Sequence, residues 1–310
     1  MAAVLIIGVP RSGTTWIGRA LGAADGAVYV NEPDGDHDPF AFRARLGHPI
    51  APVLAPGDDA PDLERLWAGA FAGGRPARTM RDRIARRIYA ATPVPERWEV
   101  WLGATPSTRL RLVSMLAVPR VAAPDAAAVV VKSVRAELSA EWIVARFAPR
   151  VLVVERNPLN VLASWIDLDY VRDPREAAAY AQGAGERWGI DPLSRAAPQL
   201  EQQTFTYGVL ASALRESAAR HPDWIVVSHD ELCLDAAGGF ADLAPRLGLT
   251  WGEDAARFVV DSDTAGAGYR TERRTAEQPG RWRERLTSDQ IATIRETLAR
   301  FPGAKVPEAD

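Results

Sequence analysis

Five short apolar runs recur along the chain, and each of them ends in polar or turn-forming residues. Near-continuous runs that are rich in β-branched residues are typical of parallel strands buried on both faces. Helical segments separate several of the runs, as crossover connections between parallel strands require. The pattern predicts an α/β fold with a doubly wound parallel sheet of about five strands, and ligands at the carboxyl ends of the strands. The predicted strands are Val4–Ile7, Ala27–Val30, Ala128–Val131, Val151–Val154 and Trp224–Val227.

The segment between the second and third predicted strands departs from this alternation. Prolines and glycines are frequent there, and two stretches, at 61–71 and 78–91, show helical periodicity. The segment is too long for a loop and too irregular for another β-α-β unit. We therefore expect one domain over residues 1–310, with a helical cap inserted at 35–127 over the carboxyl edge of the sheet for substrate recognition. Further helices are predicted at 204–220 and 288–300, the latter with Ser288 as its N-cap.

Composition and charge narrow the classes of function. The 310 residues are 47% hydrophobic and 25% charged, which is the balance of an ordinary globular protein. The net charge of −3 gives no bulk electrostatic reason to expect nucleic-acid binding. Cys233 is the only cysteine, so an internal disulfide and a cysteine-based zinc cluster are excluded. The N-terminus lacks a basic region before its apolar run, and no stretch is apolar enough to span a membrane, so we expect a cytoplasmic protein.

The first predicted strand leads into GVPRSGTTW, residues 8–16. A strand, a glycine-containing turn and a helix start together direct backbone N–H groups and the positive end of the helix dipole at one anion. Loops that bind nucleoside triphosphates carry a lysine after the second glycine, whereas here Thr14 has that position and the cation is Arg11, inside the loop. The loop therefore suits a nucleotide with a short 5′ substituent better than a triphosphate with its metal. Further hydrogen-bond donors are the hydroxyl groups of Ser12, Thr14 and Thr15.

PRSGTTW resembles the 5′-phosphosulfate loop of the sulfotransferases that use 3′-phosphoadenosine 5′-phosphosulfate (PAPS). In that family an arginine at the end of a later strand, and a serine eight residues on, hold the 3′-phosphate. Here the segment VLVVERNPLNVLASW has Arg156 and Ser164 in these places. Asn157 as N-cap and Pro158 in the first turn suit a helix start there, with Ser164 on the helix face that looks toward the same anion.

The C-terminal stretch TERRTAEQPGRWRERLT is similar to a third motif of the family, in which Gly-x-Trp precedes a basic residue. Its earlier part departs from the family pattern, because Thr275 rather than glycine follows the two arginines. Arg273 and Arg274 are nevertheless expected to close over the 3′-phosphate. The three matches lie within residues 8–283 and occur in the order in which the family has them.

The resemblance implies transfer of a sulfuryl group from PAPS to a hydroxyl or amine acceptor, with adenosine 3′,5′-bisphosphate as the second product and no metal. Such an in-line transfer needs a base near the acceptor, cations near the sulfuryl and bridging oxygens, and exclusion of water. Arg11 is expected at the bridging oxygen or the 5′-phosphate. Trp16 either stacks on the adenine or packs in the core. The implied nucleotide ligands are Arg11, Ser12, Gly13, Thr14, Thr15, Trp16, Arg156, Ser164, Arg273 and Arg274.

Glu32, in YVNEPD at the end of the second predicted strand, is the expected base. Carbohydrate-type and many bacterial members of the family use a glutamate in such a context, whereas the cytosolic branch uses a histidine in a Lys-Thr-His segment. Here the comparable segment is VKSV, so Lys132 matches the lysine and Val134 replaces the histidine. Burial is expected to raise the pKa of Glu32. Lys132 is expected to neutralise the sulfuryl oxygens and Arg135 to bind an anionic acceptor, while His37 is the rival base.

Two other functions fit parts of the pattern. A small-metabolite kinase with a P-loop has an acidic strand end for Mg²⁺, for which IVVSHDE at 225–231 is available, although Thr14 in the lysine position counts against it. A nucleotide-binding module without catalysis would keep the same fold. The expected acceptor is a small molecule, a carbohydrate or a natural product, and a glutamate base favours a carbohydrate or another aliphatic alcohol.

Overall fold

The five predicted strands form one parallel sheet in the spatial order β2-β3-β1-β4-β5. The computed structural model describes residues 1–48, 52–123, 126–171, 174–181, 187–264, 274–304 and 306. Each strand agrees with its predicted run to within one or two residues at either end, which confirms the parallel α/β sheet. The strands are β1 (Ala2–Ile7), β2 (Ala27–Asn31), β3 (Ala128–Ser133), β4 (Arg150–Glu155) and β5 (Ile225–Ser228).

Helices cover both faces of this sheet. Successive side chains of a strand point to opposite faces, so Leu5 and Ile7 pack in one hydrophobic cluster while Val4 and Ile6 pack in another. This double burial is why the strand sequences are continuously apolar. The helices before β4 are α1 (Thr14–Gly22), α2 (Pro39–Ala44), α3 (Pro61–Phe71), α4 (Met80–Ala91), α5 (Val94–Trp101), α6 (Thr108–Leu116) and α7 (Ala140–Phe147). Those after β4 are α8 (Pro158–Asp167), α9 (Pro174–Ala181), α10 (Gln199–Arg220), α11 (His229–Leu234), α12 (Ala236–Arg246), α13 (Glu253–Ser262) and α14 (Ser288–Leu298).

Helices α2 to α6 all lie in the connection from β2 to β3. Leu66 and Trp67 of α3 belong to the same cluster as Val129 and Val131 of β3, so this helix covers one face of the sheet. Helix α5 instead lies at the carboxyl edge, where its residues line a large cavity. The segment therefore supplies both a covering helix for the sheet and a wall for the cavity.

Three helix starts differ from the sequence prediction. Helix α4 begins at Met80 rather than at residue 78, because Arg78 has a left-handed φ of 54° that no α-helix accommodates. Helix α10 begins at Gln199, five residues before the predicted start. The N-cap of α14 is Thr287 rather than Ser288, since Thr287 and Gln290 form a reciprocal capping box. No helix in the described ranges is long and apolar enough to cross a membrane.

Candidate functional site

A cavity of about 780 Å³ lies at the carboxyl ends of the strands. The loop after β1, the ends of β2 and β3, the residue after β4 and the first residue of α11 all contribute to its wall. Helix α5, the segment after α8 and a short 3₁₀ turn at Thr275–Glu277 complete it. The carboxyl edge of a parallel sheet is where such folds bind ligands, so the cavity lies where the strand pattern predicted it.

The loop between β1 and α1 follows a left-handed path at two residues. Gly13, the N-cap of α1, has a φ of 94°, and Arg11 has a φ of 74°, which is uncommon for a residue with a side chain. Two side chains hold this path: Arg156 Nη1 donates to the carbonyl oxygen of Arg11 at 3.0 Å, and Trp165 Nε1 donates to that of Pro10 at 2.9 Å. The loop is thus braced by residues from the β4–α8 region.

Arg11 connects the loop to the second predicted phosphate motif. Its Nε donates to the hydroxyl oxygen of Ser164, on α8, at 3.0 Å. Helix α8 starts as predicted, with Pro158 in its first turn and the side chain of Asn157 accepting from the backbone N–H of Leu159. The i, i+7 spacing then turns Ser164 toward the loop. The two motifs, more than 140 residues apart in sequence, are therefore adjacent.

Arg156 lies in the cavity wall between the loop and the C-terminal segment. Its Nη2 is 3.5 Å from Gln278 Oε1, its Nε is 4.0 Å from a carboxylate oxygen of Asp230, and that Nε is buried without a hydrogen-bond partner among the described residues. Burial lowers the pKa of Arg156 to about 10, although the Asp230 carboxylate opposes the change, so the side chain stays charged at neutral pH. Arg156 thus offers an incompletely bonded cation to the cavity.

Gln278 is a cavity residue that the sequence analysis missed. The C-terminal segment reaches the cavity because Asn160 of α8 fixes it: Nδ2 donates to the carbonyl oxygen of Pro279 at 2.9 Å, and Oδ1 accepts from the backbone N–H of Trp282 at 3.0 Å. Trp282 is the tryptophan of the Gly-x-Trp motif, and it is buried. The motif therefore anchors the segment, and the residues just before it face the cavity.

Glu32 and Lys132 form an ion pair in the cavity wall. The pair follows from strand register, because β2 and β3 are neighbours and Lys132 lies opposite Asn31. Glu32 has a left-handed φ of 43°, and its backbone N–H donates to the carbonyl oxygen of Lys132 at 2.7 Å. The side chain of Lys132 is 2% exposed and that of Glu32 is 26% exposed. The carboxylate is therefore the accessible member of the pair.

The expected rise in the pKa of Glu32 is wrong for this structure. Burial does raise the pKa, but the charge and hydrogen bond of Lys132 outweigh burial, with Arg135 and His37 adding to the effect, so the pKa lies below the ordinary value. Glu32 is consequently ionised at neutral pH and bonded to an ammonium group, which makes it a weak base in this state. His37 is exposed and does not line the cavity.

The structure brings most of the predicted site residues to one cavity. Those in its wall are Arg11, Gly13, Thr14, Thr15, Trp16, Glu32, Lys132, Arg135 and Arg156. Ser164 is buried and reaches the cavity through its bond with Arg11. Trp16 packs in the core: its Nε1 donates to Ser262 Oγ at 2.9 Å and its ring meets Phe240 edge-on, so stacking on adenine stays a prediction.

Two predicted ligands lie elsewhere. The hydroxyl of Ser12 points back toward Gly8, where an added Cβ would be 2.7 Å from it, and Ser12 lines a separate small pocket instead. Arg274, expected over the 3′-phosphate, is exposed and paired with Glu277 at 3.3 Å, outside the cavity wall. Thr275 and Gln278 face the cavity in its place, because the 3₁₀ turn begins there. Arg273 lies outside the described residues.

The imidazole ring of His229 packs against the loop between β1 and α1. A Cβ added at Gly13 would be 2.6 Å from His229 Nε2 and closer still to Cδ2. The loop can therefore pack this closely on the imidazole ring only because residue 13 has no side chain. Burial lowers the pKa of His229 to about 4, and the charge of Arg156 acts in the same direction, so the ring is neutral at physiological pH. Within the described ranges no group of three or more His, Cys, Asp or Glu side chains is placed to hold a metal ion.

No family model matches the chain, and no curated protein matches it. Three solved structures that are similar to it are sulfotransferases. The sulfotransferase domain of the Synechococcus PCC 7002 olefin synthase is 14% identical, with a TM-score of 0.43 over 96% of this chain and 94% of that one. Sulfotransferase STF1 from Mycobacterium tuberculosis H37Rv is 16% identical, with a TM-score of 0.42 over 96% and 76%. Sulfotransferase STF9 from Mycobacterium avium is 12% identical, with a TM-score of 0.39 over 99% and 78%.

Proposed function

We propose that the protein is a sulfotransferase that moves the sulfuryl group of PAPS to a hydroxyl or amine of an acceptor. The observation that carries this proposal is the hydrogen bond from Arg11 to Ser164, which joins two phosphate-binding motifs at one cavity. The same cavity holds a carboxylate and an ammonium group, Glu32 and Lys132, at the neighbouring strand ends. Two phosphate sites beside a base and a cation are what sulfuryl transfer from PAPS needs.

The residues of the nucleotide end fit a ligand with two separate anionic groups. Gly13 leaves the start of α1 open to an anion, and Arg11 lies in the same loop. The second group of residues is Arg156, whose buried Nε has no hydrogen-bond partner among the described residues, and Gln278 of the C-terminal segment. We assign the 5′-phosphosulfate to the loop and the 3′-phosphate to Arg156, with Ser164 and Gln278 beside it.

The loop supports a phosphosulfate better than a triphosphate with magnesium. Thr14, in the position of the missing lysine, is buried at 2% exposure and brings no charge to the cavity. Of the two acidic residues at the strand end that a kinase would use, Asp230 is engaged elsewhere: Oδ2 accepts from the backbone N–H of Asn157 at 3.0 Å, and its other oxygen faces Arg156. Asp230 thus stabilises the start of α8 and the charge of Arg156.

The ion pair gives Glu32 and Lys132 linked roles in the reaction. PAPS supplies an electrophilic sulfur atom and a phosphate leaving group. In this proposal Lys132 donates to anionic sulfuryl oxygens, which would compete with Glu32 for its ammonium group. Glu32 would then lose the charge that depresses its pKa, while its burial remains, so its pKa would rise. Glu32 would accept the acceptor proton only when the donor site is filled, and Arg11 would stabilise the charge that develops on the leaving oxygen.

We also propose that the segment 35–127 forms the acceptor wall of a single domain. Helix α5 and the residue after it, all within this segment, contribute Val94, Trp98 and Leu102 to the cavity wall. A wall of this kind excludes water from the transfer, which would otherwise hydrolyse the donor.

Nucleotide binding and transfer test the proposal. We expect adenosine 3′,5′-bisphosphate to bind in the presence of a metal chelator, and radiolabelled PAPS to transfer its label to members of an acceptor panel. Glu32→Gln should leave nucleotide binding unchanged and slow transfer by about 10²-fold to 10⁴-fold, the usual effect of a general base. The matched control is Glu253→Gln, which removes an exposed carboxylate on α13.

Each of the other outcomes points to a rival. Magnesium-dependent binding of ATP, without binding of the bisphosphate, would favour the kinase. If the Glu32→Gln variant transfers sulfate as fast as the wild type, Glu32 is not the catalytic base. If Lys132→Ala were equally harmless and no acceptor were labelled, the protein would be a nucleotide-binding module without catalysis.

A further inference from the structure

Apolar and aromatic side chains form part of the cavity wall, and Arg135 lies beside one of them, Trp98. Four of these side chains come from α5, the residue after it and the residues that follow α8: Trp98, Leu102, Leu168 and Tyr170. Trp98 is held by an edge-on contact with the buried ring of Trp101, with 5.4 Å between the ring centroids. A partly exposed tryptophan that is fixed in this way offers a flat face to a ring of a ligand.

Arg135 is the cation at this end of the cavity. Its backbone N–H donates to Ser133 Oγ at 3.0 Å, and its guanidinium carbon lies 5.6 Å from the ring centroid of Trp98. Nε and Nη1 are buried without a hydrogen-bond partner among the described residues. A buried guanidinium normally forms several hydrogen bonds, so these two nitrogens lack the acceptors that such a group usually has.

The nearby carboxyl groups do not supply that partner. Glu32 is bonded to Lys132, and Asp34 accepts from Ser133 Oγ at 2.7 Å. Burial raises the pKa of Asp34, and burial also raises the pKa of Glu137 to about 8, so Glu137 is mostly uncharged at neutral pH. Asp36 lines the cavity as well, but no hydrogen bond joins it to Arg135 in the described part of the chain. Nε and Nη1 of Arg135 are therefore left without a hydrogen-bond acceptor among the described residues.

We propose, on the basis of the sulfuryl transfer proposed above, that the acceptor carries a carboxylate or another anionic oxygen group on a ring. Arg135 binds the anionic group, Trp98 contacts the ring, and the acceptor hydroxyl faces Glu32. Arg135 is then the residue that determines acceptor specificity. An acidic sugar and a phenolic acid share this chemistry, and both rings fit against an indole face.

Binding of matched acceptor pairs tests the proposal without requiring turnover. The sugar pair is methyl β-glucuronide and methyl β-glucoside, and the phenol pair is 4-hydroxyphenylacetate and its amide. Calorimetry measures each probe with the full-length protein, both alone and saturated with adenosine 3′,5′-bisphosphate. The variants are Arg135→Gln, Arg135→Lys and Trp98→Leu. The control is Arg257→Gln, which removes an exposed arginine that pairs with Asp254 on α13.

In at least one pair we expect the acid to bind about 10-fold to 100-fold more tightly than its neutral analogue, since a hydrogen bond to a charged group has this effect. Arg135→Gln should abolish that preference, Arg135→Lys should retain part of it, and Trp98→Leu should weaken both members of the pair. The pair that shows the preference identifies the source, sugar or phenol. Unfolding in urea confirms that each variant is folded.

Other results would overturn the inference. Equal binding of acid and neutral analogue in both pairs, a preference that survives in Arg135→Gln, or no measurable binding of either acid would each exclude this acceptor class. Failure of the proposed function looks different, because the bisphosphate would then fail to bind while the preference for the acid could still be measured on the protein alone.

Discussion

Replacing Gly13 by alanine tests whether the loop depends on contact with His229. Alanine at this position costs about 1–2 kcal/mol for the left-handed backbone alone, since φ is 94°. Its Cβ would also overlap the imidazole ring, and overpacking of this kind costs about 1–3 kcal/mol. We expect Gly13→Ala to lower the free energy of unfolding by about 2–5 kcal/mol, a large part of the stability of a typical domain.

Gly47 provides a matched control for the backbone contribution. It too is left-handed, with a φ of 84°, but no atom lies within 4 Å of a Cβ added there. Gly47→Ala should therefore cost only the backbone strain of about 1–2 kcal/mol. Urea denaturation followed by tryptophan fluorescence gives both values. The difference between the two variants measures the contact between the loop and the imidazole.

A double-mutant cycle completes the test. In a His229→Ala background the ring is gone, so Gly13→Ala should cost no more than Gly47→Ala does, and the coupling free energy should be about 1–3 kcal/mol. Binding of adenosine 3′,5′-bisphosphate should weaken in Gly13→Ala and recover partly in the double variant. Equal costs for Gly13→Ala and Gly47→Ala in the wild-type background would refute the reasoning.

Three further predictions concern the ion pair, the loop and a helix cap. Lys132→Met should raise the pKa of Glu32 above its ordinary value, because the effect of burial is then opposed only by more distant cations. Carbon NMR titration of the Glu32 carboxyl group measures this pKa. A pKa that stays below the ordinary value would contradict the prediction. Ser164→Ala should weaken binding of adenosine 3′,5′-bisphosphate by about 10-fold, since the hydrogen bond that holds the loop arginine against α8 is lost, and unchanged calorimetric affinity would count against this. Thr287→Ala should destabilise the protein by about 1 kcal/mol while Ser288→Ala has little effect, and urea denaturation would show the reverse order if the cap were misassigned.

The Glu32–Lys132 pair also sets a direction for the dependence of stability on pH. The pKa of Glu32 is lower in the folded protein than in an unfolded chain. The pair therefore contributes stability above the unfolded pKa of glutamate, and this contribution is lost as the pH falls through the depressed folded pKa. Filling of the donor site should reduce the contribution, because Lys132 then serves two anionic partners.

The strands and the positions of Arg156 and Ser164 can be predicted because their signals are local. Each buried strand is a continuous apolar run, and the position of Ser164 follows from an N-cap, a proline and helical spacing. The predicted rise in the pKa of Glu32 is wrong for a physical reason. Burial could be expected from its place at a strand end, but the opposing charge of Lys132 depends on β2 lying next to β3, which is a property of the tertiary fold.

The position of the C-terminal segment against the cavity could not be predicted from local sequence signals either. The resemblance implies that Arg273 and Arg274 close over the 3′-phosphate, yet Arg274 pairs with its own neighbour Glu277. What faces the cavity is decided by the hydrogen bonds of Asn160 with the segment about 120 residues later. An asparagine inside a helix carries no sequence signal for such a role, and neither does Gln278, whose side chain approaches Arg156 as a result.

Backbone strain gives independent support for locating the site at this cavity. Six non-glycine residues in the described ranges have a positive φ, and four of them line the cavity: Arg11, Glu32, Asp169 and Val171. Such conformations cost about 1–3 kcal/mol each and persist only where surrounding contacts hold them. Those contacts are present, since the carbonyl oxygen of Arg11 accepts from Arg156 and that of Glu32 accepts from the backbone of Gly35. Because the strained residues include the loop cation and the proposed base, we infer that their charges are positioned before any ligand binds, which is the condition for electrostatic catalysis.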